Sequence, residues 1–203
     1  MTTLMKEMAT RRTGLLPYIT RRFSPRVFAN RRVSDEDMNA LFEAARWAPS
    51  SYNEQPWSYI VAHRDDAESF GKLAEALNEK NRAWAANAPV LMLSVAKTNV
   101  ERTGKANKHA FHDVGLAMGN MLNQATSMNI YMRQMGGYDA EKARELLNIP
   151  EGYEPVAMIA LGYLDEDTMQ SEEVQAQLAR PRARKRVEEF TFRGTFDNHY
   201  YND

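Results

Sequence analysis

The residues of this chain that could do chemistry concentrate in four short segments. The first is Arg21-Arg22-Phe23-Ser24-Pro25-Arg26, which sets three guanidiniums and a hydroxyl within six residues. Pro25 disfavours a regular helix there, and arginine forks match the paired oxygens of a phosphate. Continued by Arg31 and Arg32, the same charges also read as a solvated basic stretch. The second is Trp47-Ala48-Pro49-Ser50-Ser51-Tyr52-Asn53-Glu54-Gln55-Pro56-Trp57, a run of donors and acceptors between aromatic rings. Such a stretch lines a ligand site or simply caps its neighbours. The third, Gln134-Met135-Gly136-Gly137-Tyr138-Asp139, opens a helix. Its glycines permit close backbone approach to a ligand, and equally a plain turn. The fourth, Arg180-Pro181-Arg182-Ala183-Arg184-Lys185-Arg186, holds a phosphate or forms a basic tail.

Other chemistries are set aside. The chain has no cysteine, which excludes thiol catalysis, disulfides and Cys-ligated metals. His109, His112 and Asp113 share a stretch of helix, but no further ligand accompanies them, so no metal site is expected. There is no nucleophile elbow, P-loop or Gly-x-Gly-x-x-Gly, so any nicotinamide dinucleotide is a passing substrate. A formal net charge of −1 exerts no general pull toward nucleic acid or an anionic membrane. No apolar run approaches the ~20 residues of a membrane span. Residues 1–20 lack the apolar core of a signal peptide, so a cytoplasmic protein is expected.

These segments need elements to position them. Ser34 followed by Asp35, Glu36 and Asp37 is a helix start, and Met38, Leu41, Phe42 and Ala45 give its apolar stripe. Trp57 to Ala62, Pro89 to Val95 and Pro155 to Leu161 read as strands, with a shorter one at Asn129 to Arg133. Phe70, Leu73, Ala74 and Leu77 mark a second helix, and Asp139 caps another that carries Ala143, Leu146 and Leu147. The longest helix is expected from Ala106 to Met128. Its Gly115 and Gly119 suggest close packing on another backbone. Phe190 to Phe196 reads as a late strand. The 203 residues read as one domain, with a loose segment over 1–12 and a C-terminal arm from about 187 to 203.

Taken in order from about Leu16, the four segments resemble the nitroreductase family. The match is sharpest over Ala-Pro-Ser-Ser-x-Asn-x-Gln-Pro-Trp, residues 48 to 57, and continues through Gly136-Gly137-Tyr138-Asp139 and Ile149 to Pro155. The resemblance implies an α+β three-layer sandwich. Its central sheet is mostly antiparallel and mixed, helices flank it, and a C-terminal extension lies on a partner subunit. It implies a homodimer with FMN between the subunits. Arg21, Arg22, Ser24 and Arg26 match the family's phosphate-gripping segment. Pro49, Ser50, Ser51 and Asn53 match a loop given by the partner. Met135, Gly136 and Gly137 match backbone beside the flavin, Arg182 and Arg184 match C-terminal phosphate ligands, and Asn81 matches a flavin contact. Arg26 is expected to stabilise the negative charge of the reduced flavin. The implied activity is ping-pong reduction of nitroaromatics, quinones or similar acceptors by NADH or NADPH. The alternatives are a reductive dehalogenase and a flavin-binding or sensing protein without turnover.

Overall fold

Short polar side chains start most of the helices. Ser34 Oγ accepts the Asp37 amide, Asp66 that of Ser69, Asn78 that of Asn81, Asp139 that of Lys142, and Ser171 that of Val174. Each satisfies an amide that has no partner within its own helix. In chain order the elements of the computed structural model, which describes residues 14–201, are α1 (Pro17–Arg21), α2 (Asp35–Arg46), β1 (Trp57–His63), α3 (Ala67–Ala76), α4 (Glu79–Ala85), β2 (Val90–Lys97), α5 (Ala110–Ser127), β3 (Ile130–Met135), α6 (Ala140–Leu146), β4 (Tyr153–Tyr163), α7 (Glu166–Gln170) and α8 (Glu172–Ala179). The segment 1–12, expected to be loose, lies outside the described residues.

The described strands form one sheet in the order β1-β2-β4-β3. Every pairing is antiparallel, so the described sheet lacks the parallel pair a mixed sheet would contain. Strands β2 and β4 are central, and their alternate residues serve opposite layers. Val90, Met92, Ile159 and Leu161 meet Met38 and Leu41 of α2 and Ala117 and Met121 of α5. Leu91, Leu93, Met158 and Ala160 meet Phe70 and Leu73 of α3, Ala85 of α4 and Ala143 of α6. The result is helices, sheet, helices. Each fully buried Leu, Ile or Met contributes roughly 1.5–3 kcal/mol. Strand β3 is an edge of the described sheet, bonded there only to β4.

Two expected elements differ. Phe190 to Phe196 is not a strand: a 3-10 turn spans Val187–Phe190, and one isolated bridge joins Phe192 to His199. Gly194, at φ +79°, folds the chain back, and Phe192 stacks on Phe196 with ring centroids 4.4 Å apart. The long helix starts at Ala110 and not Ala106. Ala106 bridges to Asn99 across a turn in which Gly104 takes φ +66°, and Asn107 Oδ1 accepts the His109 amide. No described helix is long and apolar enough to cross a membrane.

Candidate functional site

Between α1 and α2 the chain runs extended, so successive side chains turn to opposite sides. Phe23 and Pro25 are buried, Phe23 with its ring 4.9 Å from that of Tyr131 on β3. Arg22, Ser24 and Arg26 therefore share the other side, where they line a cleft of about 320 Å³. Arg133 of β3 lines the cleft too, as do Gln177 and Glu173 of α8 and Arg180 and Arg182 beyond it.

Three alternate backbone carbonyls of this segment are held by side chains from far along the sequence. Arg182 donates from Nη1 to the Thr20 carbonyl and from Nη2 to that of Arg22, each at 2.6 Å. The Ser24 carbonyl accepts from Arg133 Nη1 at 2.5 Å and from Gln177 Nε2 at 2.6 Å. Arg22 Nη1 donates to Ser24 Oγ at 3.1 Å, closing the grip. The cleft is electrostatically unbalanced, with five arginines facing one carboxylate, Glu173. Burial, then the Arg184 charge, lowers the Arg22 guanidinium from its ordinary value. Burial, then Arg22 and Arg184, lowers Arg182. Burial and Arg26 lower Arg133, with Glu173 opposing. All three are crowded cations, and an anion in the cleft would relieve them. Arg184 itself is exposed and donates to the neighbouring Ala183 carbonyl, so it acts on this group as a nearby charge.

Arg21 is not part of this group. Helix α1 ends at Arg21 and directs it to the C-terminus of α5, where Nη2 donates to Asn129 Oδ1 at 2.7 Å and approaches the Thr126 carbonyl at 3.5 Å. A cation there offsets the negative end of the helix. It does so in place of the expected phosphate contact.

At the far end of β3 the chain enters Gly136 and Gly137. The Gly137 carbonyl accepts from Asn81 Nδ2 at 3.0 Å and from the Asn78 amide at 3.1 Å, which ties α4 to this turn. A Cβ at Gly137 would run into Asn78 Nδ2 and lie 2.6 Å from Asn81 Nδ2, so the site favours glycine. Gly136 is exposed and has open space around it, while Met135 is buried. Trp84 of α4 carries the Arg133 guanidinium 5.5 Å from its ring centroid. The Gly136–Gly137 turn, held by Asn81, thus follows along the edge strand whose Arg133 lines the arginine cleft, with Arg133 to Gly136 spanning about 10 Å of extended chain.

The serine loop lies elsewhere in the chain. Ser51–Asn53 forms a 3-10 turn in which the Ser51 amide donates to Asp113 Oδ2 at 2.9 Å and the Gln55 amide to Ser50 Oγ at 3.0 Å. Tyr52, Asn53 and Gln55 take φ of 51°, 58° and 47°, in the left-handed region that side chains other than Asn seldom adopt. Pro49 and Asn53 are exposed, and Tyr52 is 90% exposed. The anchor Asp113 is buried near the start of α5, whereas Arg21 meets the end of α5. Asp113 and Thr126 are about 20 Å apart along that helix. Within one chain the serine-loop anchor and the Arg21 contact thus lie at opposite ends of α5. The outward face of α5 carries exposed Phe111 and Leu116 beside Gly115 and Gly119, and a Cβ on either glycine meets nothing among the described residues.

Arg133, Gln177 and Asp113 escape a reading by motif. For Arg133 and Asp113 a signal exists: each is a charged residue inside an apolar element, a placement that usually has a specific partner. Among the described residues, no three His, Asp or Glu side chains meet in a group able to hold a metal.

Comparison with known proteins places the chain in a family. The sequence model of the nitroreductase family matches residues 19–163. A protein of Archaeoglobus fulgidus, provisionally named NADH dehydrogenase/NAD(P)H nitroreductase, is 33% identical over 156 residues, covering 73% of this chain and 84% of that protein. The major NAD(P)H-flavin oxidoreductase of Aliivibrio fischeri is 26% identical over 85% of this chain and 92% of its own length. A crystal structure described as an oxidoreductase containing FMN superposes with a TM-score of 0.81 at 28% identity, covering 94% of this chain and 98% of that one.

Proposed function

This chain belongs to the nitroreductase family, and on that premise we propose that it is an NAD(P)H-dependent flavin oxidoreductase that binds FMN and reduces nitroaromatic, quinone or similar acceptors in a ping-pong cycle. The observation that carries the reading is that strand β3 joins the arginine cleft, which its Arg133 lines, to the Gly136–Gly137 turn into which its end runs. The residues fit the cofactor. A phosphate brings roughly two negative charges to a cleft where arginines outnumber carboxylates by four. The ring end meets exposed backbone at Gly136, where no side chain stands in the way. When bound, the flavin supplies the hydride chemistry.

The chain's own residues bind and orient it. Arg22 and Ser24 hold the phosphate, and Arg182, tied to the Thr20 and Arg22 carbonyls, fixes the segment that bears them. Arg184 adds charge at the same end. Arg26, exposed in the cleft, faces the ring and favours the negative charge that arrives with a hydride. Met135, Gly136 and Gly137 offer backbone to the ring, and Asn81 holds that turn in shape.

The site is completed by a second copy of the chain. Support comes from the separation of about 20 Å along α5 between the serine-loop anchor Asp113 and the end where Arg21, the first residue of the arginine segment, docks, and from Gly115 and Gly119 between them, where a Cβ meets nothing among the described residues. Pro49, Ser50, Ser51 and Asn53 of each chain then serve the other chain's cofactor. The C-terminal arm, with exposed Val187, Phe190 and Phe196, offers further apolar surface to the partner.

The test is an absorption spectrum of the purified protein. Expected are flavin bands that bleach on adding NADH or NADPH and return with a nitro or quinone acceptor. A protein that takes up no FMN refutes the reading. One that binds FMN, yet is never bleached, is a flavin binder without turnover.

A further inference from the structure

We propose that Arg133, on the edge strand β3, is a further cofactor-contacting cation, placed at the ring end of the flavin and stabilising its reduced, anionic form. The inference rests on the FMN reading above.

Position is the first argument. Arg133 joins the two halves of the cleft: its Nη1 donates to the Ser24 carbonyl, and its guanidinium lies over Trp84. Trp84 stands one helical turn from Asn81, whose amide holds the Gly137 carbonyl. Arg133 thus lies between the phosphate grip and the glycine turn, where a ligand reaching from one to the other must pass.

Spare hydrogen-bonding capacity is the second. Nη1 is committed, but Nε and Nη2 have no hydrogen-bond partner among the described residues, and the side chain lines the cleft. A guanidinium has five N–H donors in a planar fork, suited to adjacent ring oxygen and nitrogen acceptors.

Charge is the third. The cleft carries an excess of four positive charges, and a phosphate dianion neutralises only about two. A hydride adds two electrons and one proton to the flavin and leaves one negative charge on its ring. That charge has a natural partner in a cation on the glycine-turn side of the phosphate grip, where Arg133 lies over Trp84. Arg26 presses on Arg133 as a like charge, and Glu173 is the only carboxylate that offsets it. Holding the Ser24 carbonyl does not by itself call for a guanidinium in this place, since the neutral Gln177 holds the same carbonyl from α8.

The test separates a cation that contacts the ring from a residue that only positions Ser24. The midpoint potential of bound FMN and the Kd of oxidised FMN are measured for the parent, Arg133→Gln, Arg133→Lys and Gln177→Leu. Arg133→Gln is expected to weaken reduced FMN about tenfold relative to oxidised FMN, the low end for loss of a charge-assisted hydrogen bond. A two-electron couple reports that as a potential about 30 mV more negative. Arg133→Lys should restore most of the potential. Gln177→Leu, which removes the other Ser24 holder and no charge, should weaken both redox states alike and leave the potential at the parent value. A parent-like potential in Arg133→Gln overturns the proposal, and so does the same drop in Gln177→Leu. If Arg133→Gln does not fold, Arg133→Met decides: it removes the charge and keeps most of the bulk, so a comparable drop supports the proposal and a parent-like potential overturns it. A parent protein that binds no FMN overturns the functional reading itself, a result seen before any variant is made.

Discussion

Replacing Asp113 with alanine should release the serine loop while leaving the arginine cleft intact. The buried Asp113 carboxylate accepts the Ser51 amide at 2.9 Å and contacts His112 Nδ1 at 3.0 Å. Losing a hydrogen bond to a charged acceptor costs roughly 1.5–3 kcal/mol. For a domain of this size each kcal/mol lowers Tm by about 2–4 °C, so a fall of about 3–12 °C is expected. The loop holds two non-Asn residues, Tyr52 and Gln55, at positive φ, each costing about 1–3 kcal/mol. That strain is of the same size as the lost bond. With the anchor gone, Tyr52 and Gln55 should relax toward ordinary backbone, against the turn's own Asn53 and Glu54 amide bonds and the contacts of Ser50 Oγ with the Gln55 amide and Glu54 with the Glu101 amide. Hydrogen exchange followed by mass spectrometry reads this directly. Amides of residues 51–55 should exchange about ten- to a hundredfold faster, the equivalent of 1.5–3 kcal/mol, while β2 and β4 stay protected. If each loop serves the partner's site as proposed, FMN should also bind more weakly. Asp113→Asn keeps an uncharged acceptor and should fall between. Unchanged exchange at residues 51–55 in a folded Asp113→Ala protein would refute the anchoring role.

Gly115→Leu tests the second copy. An added Cβ meets nothing among the described residues, and leucine is a better helix former than glycine by less than about 1 kcal/mol. The subunit should therefore stay folded but sediment as a monomer and lose FMN; a monomer that keeps FMN and turnover contradicts the shared site. Gly137→Ala puts a methyl against the Asn78 and Asn81 amides. Displacing Asn81 forfeits its bond to the Gly137 carbonyl, worth about 1 kcal/mol, so FMN affinity should fall roughly fivefold; parent-like affinity in fluorescence titration argues against a role for this turn.

The parts of the fold legible in the sequence were those whose cause is local. Ser34 and Asp139 announce the helices they cap, and the apolar runs around Leu91 and Ile159 announce strands buried on both faces. Helix α4 was illegible, because Glu79–Ala85 has almost no apolar stripe and depends on the Asn78 cap. The alternation of Phe190, Phe192 and Phe196 with polar residues imitates a strand, and Gly194 undoes it. In the site, the composition of the first arginine segment was visible but not its phase. Arg21 faces α5 because α1 happens to end there, and only the burial of Phe23 and Pro25 assigns Arg22, Ser24 and Arg26 to one side. Arg133 and Gln177 were invisible as partners of Ser24, being more than a hundred residues away from it.

That distance has a consequence for the order in which the protein is made. The carbonyls of Thr20 and Arg22 wait for Arg182, and the carbonyl of Ser24 waits for Arg133 and Gln177. Synthesis proceeds at about 5–20 residues per second, so the first arginines leave the ribosome well before the side chains that fix them. Through that interval the sheet can form from β1 to β4, but the anion grip stays unmade. Occupancy of the cleft is thereby tied to the translation of residue 182, and a chain stalled before it carries the arginines without the geometry that makes them a site.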